Sequence, residues 1–84
     1  MSTESIDARI GARVRALRTE KKTPVDVVAK AAGLTPYDYL AREAGDISFT
    51  AAQLWTIAAA MGVPFEELFR DLISTSEDLA GRRH

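Results

Sequence analysis

Val27-Val28-Ala29-Lys30-Ala31-Ala32-Gly33-Leu34-Thr35, followed ten residues after Gly33 by Glu43-Ala44-Gly45, is the stretch whose reading decides the fold. An apolar run is stopped by a glycine, restarted at once by Thr35-Pro36 and stopped by a second glycine. A hydroxyl residue ahead of a first-turn proline opens a helix, and a glycine free to adopt positive φ closes one. The pattern predicts two short helices, about 24–32 and 36–44, joined by a tight turn: the outline of a helix-turn-helix. Leu34 is the apolar residue expected to pack beneath that turn. Thr35-Pro36-Tyr37-Asp38 supplies a cap, a proline and a first-turn acid.

Working outward, Ile6, Ile10, Val14 and Leu17 recur at helical spacing and predict a first helix from about Ile6 to Glu20, with Ser5 or Asp7 at its amino end. Thr23-Pro24-Val25-Asp26 has the form of the later Thr-Pro cap and is expected to open the second helix in the same way. Gly45 to Phe49 is a loop. Thr50 is expected to cap a fourth helix with Leu54, Ile57, Ala58 and Met61 in one stripe, ended by Gly62. A fifth helix, from Phe65 to about Ile73, would close the core with Phe65, Leu68, Phe69 and Leu72. The expected organisation is an all-α, five-helix domain over residues 1–73 and a flexible polar tail over 74–84.

Composition bounds the function. The 84 residues allow one core, and the absence of cysteine removes disulfides and thiolate metal sites. The sole histidine is the terminal His84, and no glycine-rich phosphate loop is present. No nucleophile with its base and no nucleotide cradle can therefore be assembled. An enzyme, a cofactor, a bound metal and a small-molecule ligand are not expected. The longest apolar run, Ile57 to Met61, is far below the roughly 20 residues of a membrane span. A cytoplasmic protein without membrane contact is the expectation.

Net charge is −1, but residues 1–22 carry six basic and three acidic side chains (+3) and residues 23–84 five and nine (−4). Basic character is concentrated in the first helix, where Arg9, Arg13 and Arg15 with Lys21 and Lys22 form the one patch dense enough for phosphates. The bland alternative is a solvated charged face.

The run from Ile10 to Phe69 resembles the Cro and lambda-repressor-like helix-turn-helix family, also called the XRE family. The resemblance is carried by Ile10-Gly11, Arg13-Val14-Arg15, Leu17-Arg18, Ala29, Gly33-Leu34, Glu43, Gly45, Leu54, Ile57-Ala58, Met61-Gly62-Val63 and Leu68-Phe69. It implies a five-helix lambda-repressor-like domain and a small transcriptional regulator, acting as a homodimer on double-stranded DNA. It also implies a buried ion pair between Arg18 and Glu43. A buried carboxylate needs a partner, and a guanidinium can satisfy it bidentately.

By the same resemblance, Thr35, Tyr37, Asp38, Ala41 and Arg42 would stand at the major groove, and Arg13, Arg15, Lys21 and Lys22 would contact the backbone. The chain departs from the family where its readers are usually polar or basic: Val25, Pro36, Tyr37, Asp38, Leu40 and Ala41. Asp38 is more simply a capping acid, Tyr39 a core residue, and Arg42 lies where an apolar side chain is usual. Tyr37, Leu40 and Trp55 could instead form a surface for a protein partner, a cofactor, antirepressor or antitoxin-like contact through the third helix. Trp55 could equally pack beside helix five.

Overall fold

A computed structural model describes residues 5–70, and among them every regular element is helical. Four α-helices run in order: α1 (Ile6–Glu20), α2 (Val25–Ala31), α3 (Pro36–Glu43) and α4 (Ala51–Met61). The fifth element is not the α-helix that the Phe65–Ile73 reading predicts. It is a 3-10 helix over Phe65–Phe69, and residues 71–73 of that reading, with the tail 74–84, lie outside the described range. The tighter winding puts Phe65 and Leu68 on one side of the segment. Its Glu67 carbonyl accepts from the Arg13 side chain at 2.9 Å as well as from the Arg70 amide.

The helix ends follow local chemistry. The Ser5 hydroxyl accepts from the Ala8 amide at 3.0 Å, the Thr35 hydroxyl from Asp38 at 3.1 Å, and Thr50 and Gln53 form a reciprocal capping box. Thr23 does not cap α2; Pro24 occupies that position without a side-chain bond. The Thr23 amide instead donates to the Arg18 carbonyl at 2.9 Å, closing α1, while Lys22 takes the left-handed conformation with φ 56°. The α2–α3 turn closes in the same way. Gly33, at φ 73°, donates to the Lys30 carbonyl and Leu34 to that of Ala29, which leaves α3 to start two residues later.

The core gathers Val14 and Leu17 from α1, Val28 and Ala29 from α2, Tyr39 from α3, the Leu54, Ile57, Ala58 and Met61 stripe of α4, and Leu68. Leu34 packs against it beneath the turn. Ile6, expected in the α1 stripe, is 60% exposed. α1 and α3 approach closely at Gly11. A methyl group there would collide with the carbonyl of Glu43 and come within 2.9 Å of the carbonyl oxygen of Arg42.

Because neither carbonyl can move without displacing α3, Gly11→Ala is expected to destabilise the fold by about 2–3 kcal/mol, the upper part of the range for overpacking. Urea denaturation followed by circular dichroism measures it, and a loss under about 0.5 kcal/mol would contradict the close approach.

Candidate nucleic-acid interface

α3 is held from below by a buried carboxylate. Glu43 is 7% exposed, and both its oxygens are occupied: Arg18 Nε donates to Oε2 at 2.8 Å and Arg18 Nη2 to Oε1 at 3.2 Å. The Tyr39 hydroxyl donates to Oε2 at 2.6 Å. Sequence reasoning misses this second partner, although Tyr39 and Glu43 stand four apart on one helix face, the spacing at which side chains meet. The hydrogen bond to Glu43 raises the pKa of Arg18. Burial, then the bond to Glu43, raises that of the Tyr39 phenol well above its ordinary value.

With Tyr39 and Glu43 turned inward, the opposite face of α3 stands in solvent. Tyr37 is 82% exposed and Leu40 46%, with Pro36 and Asp38 also exposed and Ala41 half-buried beside them. The Thr35 hydroxyl is engaged as the cap of α3, which places the Asp38 carboxylate beside the positive end of the helix. Arg42 is not extended outward. Its Nη1 donates back to the Asp38 carbonyl at 2.9 Å, and its Nε is buried without a partner among the described residues.

The structure divides the basic patch of the first helix. Arg13 turns onto the 3-10 helix, donating from Nε to the Glu67 carbonyl at 2.9 Å and from Nη2 to Glu67 Oε1 at 3.0 Å. That is a structural clamp, and it withdraws Arg13 from the set of free cations. Arg9, Arg15, Lys21 and Lys22 are exposed. Arg15 shares a shallow depression with Arg18, Leu40, Glu43 and Ala44, so one free guanidinium borders the exposed flank of α3. The loop after α3 is tied to α1 by Ser48, whose hydroxyl donates to Asp7 Oδ2 at 2.5 Å. Trp55 lies apart from α3, 62% exposed, its ring 5.3 Å from that of Phe65.

No protein-family model and no curated protein matches the chain. A solved structure that is similar to it is the crystal structure of the clp gene regulator ClgR from C. glutamicum. The TM-score is 0.76 at 18% identity, covering 86% of this chain and 94% of that one. The likeness is one of fold, and it extends over nearly the whole of both chains.

Arg18→Ala would leave Glu43 buried with one neutral partner, and a loss of about 3–5 kcal/mol is expected on chemical denaturation. A loss below about 1 kcal/mol would remove the pair from the framework. Tyr39 gives a pH signature. Its pKa is raised in the folded chain, so above the unfolded value of about 10 the unfolded state releases a proton that the native state keeps. Stability therefore falls as pH rises past about 10, and Tyr39→Phe removes that tyrosine's contribution to the slope. Denaturation midpoints of the two proteins across the alkaline range measure the difference.

Proposed function

We propose that this chain is a small transcriptional regulator that binds double-stranded DNA through α2 and α3, with α3 in the major groove. The observation that carries the reading is the posture of α3. It follows α2 after a glycine turn, is fixed from beneath through Glu43, and offers a face with Tyr37, Asp38 and Leu40 in solvent. The fold shared with a gene regulator supports it. Among the described residues, no helix is long and apolar enough to cross a membrane. The cytoplasm is the proposed setting.

In this reading Tyr37 donates its phenol to a phosphate or stacks, and Leu40 and Ala41 meet thymine methyl groups. Arg15, Lys21 and Lys22 contribute the phosphate contacts that set affinity. Arg42 would join them only by giving up its bond to the Asp38 carbonyl. Two copies, one per half-site about one helical turn apart, form the working unit. No cofactor enters the proposal.

Binding to random duplex DNA across a salt series tests it. The chain should bind at low salt and weaken as salt rises, with a log-log slope of about −0.9 per phosphate contact. The triple substitution R15A/K21A/K22A should flatten the slope by about one for each phosphate no longer neutralised, whereas R13A should leave it unchanged. Absence of salt-dependent binding would overturn the DNA reading. α3 would then be a protein-docking face, the second reading that its exposed Tyr37 and Leu40 support.

A further inference from the structure

The outer face of α3 presents one carboxylate to solvent and withholds its one guanidinium. Asp38 is exposed, and among the described residues its carboxylate accepts no hydrogen bond and pairs with no cation. Its backbone is held on both sides: the amide donates to the Thr35 hydroxyl, and the carbonyl accepts from Arg42 Nη1. The positive end of the helix makes an acid welcome there but leaves its oxygens unused. Of the other polar side chains of α3, Tyr39 and Glu43 are buried and Arg42 is folded back, which leaves the Tyr37 phenol. Ala41 stands three residues on from Asp38, the spacing at which helix side chains are neighbours. The face therefore offers a fixed acceptor, a phenol and small apolar groups, with no amide and no extended guanidinium.

We propose that Asp38 is the specificity-determining residue of α3 and that it selects a cytosine in the contacted strand. The proposal rests on the DNA reading above. In the major groove guanine shows only acceptors, N7 and O6, and thymine an acceptor and a methyl group, so a carboxylate is repelled by the polar atoms of both. Cytosine N4 and adenine N6 are the donors. Adenine N6 lies between two acceptors, its own N7 and the O4 of the paired thymine. Cytosine N4 has an acceptor on one side only, the O6 of its guanine, so the carboxylate meets less opposing charge at cytosine. Ala41 beside it suits the methyl group of an adjoining thymine. Asp38 is also repelled by phosphates, so it weakens binding to every duplex that does not present the amine. It discriminates by repulsion as well as by attraction.

Selection of binding sites by the full chain from a randomised duplex pool tests the assignment. The selected sites should hold a fixed cytosine, and changing that cytosine to thymine should weaken wild-type binding roughly five- to tenfold, the lower part of the range for a specific base contact. D38A should bind random duplex more tightly than wild type and no longer distinguish the two bases. D38N keeps the shape and adds donors, so its selected sites should gain adenine at that position, where an amide can pair with N6 and N7 together. An acid that served only the start of α3 would leave base preference unmoved in both variants. Selected sites without a preferred cytosine, a cytosine preference that survives D38A, a D38A that binds random duplex no more tightly, or D38N sites that gain no adenine would each overturn the assignment. The random-duplex salt series separates the two failures. Absence of salt-dependent binding removes the DNA reading and the assignment with it, whereas salt-dependent binding with a base preference indifferent to Asp38 removes the assignment alone.

Discussion

Everything that positions α3 depends on the requirement that a carboxylate buried at its carboxyl end be fully satisfied. Glu43 is the one charged residue of the described chain that is buried outright. Three donors from two side chains meet its two oxygens, and the guanidinium fork of Arg18 admits one arrangement of α1 against α3. Such a pair adds little net stability compared with well-packed apolar residues of the same shape. Its weight lies in geometry. At Gly11 the two helices already touch through backbone, so their separation is fixed by sterics on one side and by the ion pair on the other.

This division of labour also governs the charge available at the surface. The amino-terminal segment is basic in sequence, but two of its arginines are consumed by the fold: Arg18 by Glu43, and Arg13 by the backbone and side chain of Glu67. What remains is a smaller set led by Arg15, beside Leu40 on α3. A chain with net charge −1 and a reduced patch would hold DNA through few phosphates. Under the proposed DNA reading, more of its discrimination would then fall to the tyrosine and aliphatic side chains at the tip of α3. The same economy of charge appears on α4, an uncharged helix whose Trp55 packs beside Phe65, which in turn meets Phe69.

The two Thr-Pro segments show how far local sequence reaches. They share hydroxyl, proline and acid at the same spacing, and only Thr35 caps a helix. Thr23 follows an α1 whose last turn closes through Lys22 in the left-handed region, so the Thr23 amide is held by the Arg18 carbonyl and its own carbonyl faces the Arg18 guanidinium at 3.5 Å. Its backbone belongs to the end of α1 and is unavailable to start α2. The closing element differs from its expected form for a related reason. Phe65 to Phe69 has an apolar pattern consistent with an α-helix, but winds as a 3-10 helix where Arg13 and Arg70 converge on Glu67 from outside the segment.

The chain of residues alone determined the four α-helices, the glycine turn between α2 and α3, the buried place of Tyr39 and the core stripe of α4, because caps, positive-φ stops and apolar period act within a few residues. Tertiary structure alone decided which arginines are free, that the Tyr39 hydroxyl completes the Glu43 site, that Arg42 folds back on α3, and that Trp55 stands in solvent beside Phe65. These are contacts between side chains that a long, flexible stem can direct to several places. Only the packed positions of the helices select one.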